Sequence, residues 1–245
     1  RALVGKLGQK LRPYTYWPLY AAGPAPRTGA PERAALRTFG ALCQEAFSAA
    51  QNTDPTRAAR SQARLRQAQA PDFPVLGYGL LDKPSGTGWH RDALHGYDFA
   101  PRYFPRCDFL ASSVRCDVKI PWELSRLQWL VWQAEATAGA DLQTRKTLAS
   151  ACLVTIEDWA AANPTGYGAN WTCGMEVAIR GANLAIVCGV LAQDLDDAAT
   201  DRLTALLRAH LIFLARFPEV SDVPGNHYLT DLMGEVVLHA ALGGL

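Results

Sequence analysis

The stretch "ATDRLTALLRAHLIFLARF", residues 199–217, decides the fold class. Leu203, Leu206, Leu207, His210, Phe213 and Leu214 recur at steps of three and four, the spacing that gathers side chains on one face of an α-helix. Working outward, residues 122–137 read as a helix. The next stretch carries a stripe of Leu142, Ala149, Cys152, Ile156 and Trp159, a further helix covers 171–193, and another begins at Asn226. The two-residue alternation of a half-buried strand is absent from residue 117 onward. Breaks such as "NPTGYGAN" and "PEVSDVPGN" are short, which makes successive helices antiparallel neighbours. The pattern predicts an all-α array of helical hairpins, and by itself leaves bundle, solenoid and closed ring open.

The first 116 residues differ in kind. Residues 1–30, with "LRPYTYWPLYAAGPAPRTG", read as an irregular lead-in. A helix is predicted over 31–51, with Pro31 and Glu32 in its first turn and Leu36, Phe39, Leu42, Cys43, Ala46 and Phe47 on one face. The Ala, Arg and Gln that follow to about residue 70 are helical by propensity and weakly buried. Residues 71–116 are dense in Gly, Pro and aromatics and too aromatic for a disordered linker, so an ordered surface segment is expected. The organisation expected is one continuous domain, in which a helical and irregular segment, 1–116, packs on the hairpins of 117–245.

Bulk properties exclude several function classes. A chain of 245 residues can bury a substantial core without covalent help. The formal charge of +1 is dispersed, leaving no field to draw nucleic acid or an anionic membrane. The arginines from Arg57 to Arg66 read as the wet face of a helix, since no aromatics interleave to stack bases. No uninterrupted run of eighteen apolar residues occurs, so no membrane span is predicted. The sequence opens on Arg1 without a signal-peptide pattern, and export stays open. Six cysteines, Cys43, Cys107, Cys116, Cys152, Cys173 and Cys188, form no CxxC pair, which argues against a zinc site or a thioredoxin-like motif. Most of them read as buried thiols, with a Cys107–Cys116 loop available in an oxidising compartment. No cofactor and no metal are expected.

Four stretches place polar or sticky residues near helix starts. In "DVKIPWELSRLQWLVW", 117–132, Pro121 suits a first turn, Glu123 and Arg126 can pair, and Trp122, Trp129 and Trp132 can fill a core. In "NPTGYGANWTCGMEVAIRGAN", 163–183, Asn170 suits a cap and Glu176 and Arg180 are spaced i,i+4. Trp171 beside a Gly-rich loop can stack on a sugar while Asn170 and Tyr167 bond its hydroxyls; a core Trp and a surface ion pair is the competing reading. "WHRDALHGY", 89–97, gathers His90, Arg91, Asp92 and His95 without a recognised ligand spacing. In "VPGNHYLTDLMG", 223–234, Asn226 and His227 follow a Pro-Gly break, either as a helix cap or as donors on a helix start that favours an anion. "KPSGTGWH" lacks the order of a phosphate loop, and no GxSxG elbow occurs.

Taken in series, "GWHRDALHGYDF", "DVKIPWELSRLQWL", "NPTGYGANWTCGMEVAIRGAN" and "GNHYLTDLMGEVVLHAAL" resemble the heparinase II/III family of polysaccharide lyases, in its alginate-lyase-like branch, over residues 72–245. The resemblance implies an incomplete (α/α) toroid, followed in the family by a β-sandwich. It also implies an anionic, uronate-containing polysaccharide as substrate, β-elimination as the reaction, and a periplasmic or secreted setting. Asn226 and His227 match the family's Asn-His pair, which neutralises the substrate carboxylate, so that the charge developing as the α-proton leaves is tolerated. Asn170 and Trp171, with Trp89, His90 and Tyr167, would line the cleft by analogy of place. The family's catalytic Tyr lies several tens of residues beyond the pair, whereas 18 residues follow His227 here, and Tyr228 stands too close to replace it. The chain alone is therefore expected to bind and not to cleave. The competing expectations are a non-catalytic carbohydrate-binding or scaffold module, and a helical interaction protein whose polar helix starts are only caps.

Overall fold

A computed structural model describes residues 29–109, 114–220 and 225–244. Residues 1–28 of the lead-in expected over 1–30, and the Val223-Pro224 half of the Pro-Gly break, lie outside the described residues. The chain is mostly helical. In order come α1 (Ala30–Thr53), α2 (Pro55–Gln69), the short strands β1 (Asp72–Pro74) and β2 (Leu80–Asp82), β3 (Arg91–Asp92) and β4 (Tyr97–Asp98), then α3 (Lys119–Ser125), α4 (Gln128–Glu135), α5 (Leu142–Ala162), α6 (Gly174–Leu191), α7 (Asp197–Arg216) and α8 (Asn226–Leu242).

Acidic side chains close several helix starts. Glu32 reaches back to the Gly29 N–H at 3.2 Å, Asp141 accepts from Thr144 N at 2.8 Å, and Asp196 accepts from Ala199 N at 2.7 Å. Asn226 departs from its expected role, because Gly225 is the N-cap of α8 and Asn226 is the first helical residue.

Helix α6 is the hub, packed by α1, α4, α7 and α8. Two close approaches make this possible. A Cβ at Gly40 of α1 would lie 1.9 Å from the Gly189 carbonyl oxygen of α6, and one at Gly234 of α8 would lie 2.7 Å from Ala178 Cβ. Both crossings therefore require glycine. By length and composition α6 could cross a membrane, although Glu176, Arg180 and Asn183 break its apolar run. Here 78% of it is buried inside the protein, as befits a core helix.

Three expectations need correction. The helix predicted over 122–137 is two helices, α3 and α4, separated by Leu127 in the left-handed region at φ 55°. That conformation costs on the order of 1–3 kcal/mol in a non-glycine residue. The break buries the Leu127 side chain and frees the Arg126 carbonyl to accept from Asn183 Nδ2 of α6 at 2.9 Å. The i,i+4 pair of Glu176 and Arg180 does not form. Glu176 instead receives a two-pronged bond from Arg126, at 2.8 Å on each oxygen, and Arg126 also reaches Glu123 as its spacing predicted. All six cysteines are free, with Cys152, Cys173 and Cys188 buried and Cys43, Cys107 and Cys116 half-buried.

The Gly- and aromatic-rich segment is ordered, and its anchors are visible. The Lys83 ammonium donates to the Ala68 carbonyl at 2.7 Å and also reaches those of Gln67 and Ala70, covering the carbonyl end of α2. Asp158 of α5 accepts from Gly86 N at 3.0 Å and Trp89 Nε1 at 2.7 Å. Buried Asp92 accepts from the N–H groups of Leu94, His95 and Asp117, and holds His95 Nδ1 at 2.7 Å. The metal-like assortment of this stretch thus resolves into local pairs, with Arg91 on Asp98.

Candidate functional site

The residues expected to line one cleft fall into two groups. The first is interior. Trp89, His90, Asn170 and Trp171 are all buried, so a sugar cannot reach them in this arrangement and the expected cleft lining is corrected. Each has a structural occupation. Trp89 stacks on Trp129 with centroids 6.3 Å apart, and His90 Nε2 lies 2.8 Å from the Ala162 carbonyl. Asn170 Nδ2 donates to Trp89 O at 2.9 Å and Asn163 Oδ1 at 2.8 Å, tying the 3₁₀ turn before α6 to the Trp89 segment. Trp171 packs on Phe213 and His210. Tyr167 is at the surface, paired by a single bridge with Tyr103.

Beneath this turn lies Arg180, fully buried without a carboxylate partner at hydrogen-bond distance among the described residues. Its guanidinium carbon is 4.5 Å from the Trp159 ring centroid and 5.2 Å from that of Trp171. Its Nη2 donates to Asn170 O at 3.0 Å and its Nε to His210 Nε2 at 3.0 Å. With His210 Nδ1 donating to Leu206 O, the imidazole must be neutral, and burial first, then Arg180, push its pKa down to about 3.

The second group is open. Asn226 and His227 are exposed at the first turn of α8 and line a concavity of about 400 Å³ with Glu219, Val220, Gly225 and Tyr228. Its geometry is set by Glu219, in the connection after α7. The Glu219 N–H donates to Asp231 Oδ2 of α8 at 2.7 Å. Its Oε2 accepts from Met175 N at the start of α6 at 3.1 Å, lies 2.8 Å from His227 Nδ1 and receives a weak bond from Cys173 Sγ at 3.7 Å. One carboxylate thus caps the hub helix from another segment and orients the rim imidazole. With Nδ1 held by Glu219, the ring nitrogen left for a bound molecule is Nε2.

Behind it, Asp231 is buried, with Oδ1 lacking a hydrogen-bond partner among the described residues, and burial above all pushes its carboxyl up to about 6. Burial also pushes the Cys173 thiol up to about 12, with Glu219 adding to the effect. A larger hollow of about 650 Å³ is lined by α5 residues such as Lys146 and Ser150, without groups converging from a second element.

Sequence reasoning missed Glu219, Asp231 and Cys173, which come from three segments and share no motif spacing. The signal available was an acidic residue in the short connection before a predicted helix start. Comparison with protein-family models, curated proteins and solved structures found no match.

Proposed function

We propose that this chain is the helical domain of a heparinase II/III-like polysaccharide lyase, an incomplete (α/α) toroid of antiparallel hairpins that binds an anionic, uronate-containing polysaccharide for β-elimination. The observation that carries this reading is the open first turn of α8, where Asn226 and His227 face a sugar-sized concavity. The free N–H groups of that turn favour a carboxylate, the Asn226 amide adds a donor, and His227 Nε2 is the position from which a proton is given or taken. Neutralising the uronate carboxylate there lowers the cost of removing the adjacent proton. The toroid reading draws on a further feature: Leu229, Leu232, Met233 and Val236 make an exposed apolar stripe along α8, a surface on which another hairpin of such an array would pack.

The test is a titration of the chain with alginate and glycosaminoglycan oligosaccharides, followed by calorimetry and by ultraviolet absorbance of the unsaturated uronate that elimination produces. Binding without the chromophore is expected, with Asn226→Ala or His227→Ala lowering affinity by about tenfold or more, the loss of one charge-assisted contact. Absence of binding, or equal binding by both variants, overturns the reading. Cleavage by the chain would show that it carries the acid among its own residues.

A further inference from the structure

The rim holds a second arrangement, made from side chains the lyase reading uses only in part. Cys173, at the cap of α6, Glu219, after α7, and His227, in the first turn of α8, each offer one donor atom, and these atoms all lie within 4.8 Å of one another. The individual separations are 2.8 Å from Glu219 Oε2 to His227 Nδ1 and 3.7 Å from Glu219 Oε2 to Cys173 Sγ. In a tetrahedral site with bonds of about 2.0 Å to nitrogen and oxygen and about 2.3 Å to sulfur, neighbouring donors stand roughly 3.3–3.6 Å apart. The oxygen–sulfur pair is already near that spacing, the oxygen–nitrogen pair would open by about half an ångström, and the sulfur–nitrogen pair, within 4.8 Å, lies in reach of side-chain rotation.

A separate observation points the same way. Asp231 is a buried carboxylate whose Oδ1 lacks a hydrogen-bond partner among the described residues, and its Oδ2 holds the Glu219 N–H at 2.7 Å. A Cβ at Gly174 would lie 3.0 Å from both Asp231 Oδ1 and Glu219 Cγ, so the space between the two carboxylates exists because residue 174 is glycine. Two acids, a thiol and one imidazole meet here. A buried carboxylate with one oxygen left without a donor, beside a second carboxylate, is costly unless a cation joins them.

We propose that Cys173, Glu219 and His227 form a binding site for a divalent zinc-class metal ion, with Asp231 as the charge behind it and a coordination position open to the concavity. Soft sulfur with imidazole nitrogen and a carboxylate oxygen selects zinc or cobalt over calcium or magnesium, which take oxygen alone. Three protein donors with one open position is the pattern of sites that bind a water or a substrate oxygen. The site goes beyond the lyase reading and does not rest on it, since its chemistry needs no polysaccharide.

The experiment titrates the chelator-treated chain with cobalt(II) alone, then displaces it with zinc(II). One equivalent is expected to bind and to produce a thiolate-to-cobalt charge-transfer absorption. Cys173→Ser should abolish that absorption, and His227→Gln and Glu219→Gln should each weaken binding by about tenfold or more. His227 is exposed, so its variant keeps the fold, checked by circular dichroism, and stays informative if Cys173→Ser does not fold. Failure to bind one equivalent, a spectrum without the thiolate band, or unchanged affinity in His227→Gln overturns the proposal. Because no uronate is present, these outcomes are independent of whether the polysaccharide titration succeeds.

Discussion

Two helix starts in this chain carry an asparagine followed by a ring, Asn170-Trp171 ahead of α6 and Asn226-His227 at α8, and the fold treats them oppositely. The first pair is sealed, its amide spent on Trp89 and Asn163 and its ring packed on Phe213. The second is open to solvent along a concavity. Local sequence is similar at the two places; what differs is the helix that follows. Helix α6 is enclosed by four others, so anything at its start is drawn inward, whereas α8 packs along its length on α6, α7 and α1 and leaves its tip at the edge. Rank in the packing, more than motif, separates interior architecture from accessible chemistry.

Removing each ring separates the two helix starts. Trp171→Ala should cost about 3–5 kcal/mol, because a fully buried indole leaves a cavity that its neighbours cannot fill. The melting temperature, read by calorimetry, should fall by roughly 10 °C. A loss under about 1 kcal/mol would return Trp171 to the surface role its sequence suggested.

A medium effect sharpens the picture of the interior. His210 is held neutral with its pKa at about 3 in the fold, against an ordinary value of 6.5. Between those values the unfolded chain binds more protons, so stability falls as pH drops from about 6.5 toward 3. Asp231 acts in the opposite sense, its raised carboxyl gaining stability as pH falls from about 6 to 3.8, and this offsets part of the loss. The expected result is a net loss of about 2 kcal/mol, the difference between the two shifts at about 1.4 kcal/mol for each tenfold change in proton affinity. Melting curves of His210→Gln between pH 7 and 4 should be visibly flatter than those of the unaltered chain; equal slopes would show that the imidazole is not what acid unfolds.

The smallest effect is expected at the rim. His227→Ala should change stability by no more than about 0.5 kcal/mol, since the side chain is half exposed and its partner Glu219 keeps the Met175 N–H. A drop as large as that of Trp171→Ala would erase the distinction between the two helix starts.

The helices were legible in sequence, because their period is local, whereas the two caps the sequence suggested, Asn170 and Asn226, give way to Cys173 and Gly225. Ala30–Thr53 and Asp197–Arg216 lie within a residue or two of their expected spans. The break at Leu127 was not legible, since leucine in a left-handed conformation carries no local signal and is imposed by Asn183 and Glu176 some fifty positions away. The candidate site was half legible. Asn226 and His227 announced themselves beside Pro-Gly, while Glu219, Cys173 and Asp231 become meaningful only when three helix ends meet. Conversely Trp89, His90, Asn170 and Trp171 looked like binding residues because aromatic rings and amides serve sugar contacts and polar cores equally well.

The double duty of Glu219 has a mechanical corollary. The oxygen that steadies the rim imidazole also receives the Met175 N–H in the first turn of the innermost helix, and the same residue's backbone leans on Asp231. Any guest that draws Glu219 outward must loosen the seam between the last two helices and the middle of the protein, so occupancy at the edge would be registered as a change in rigidity at the centre.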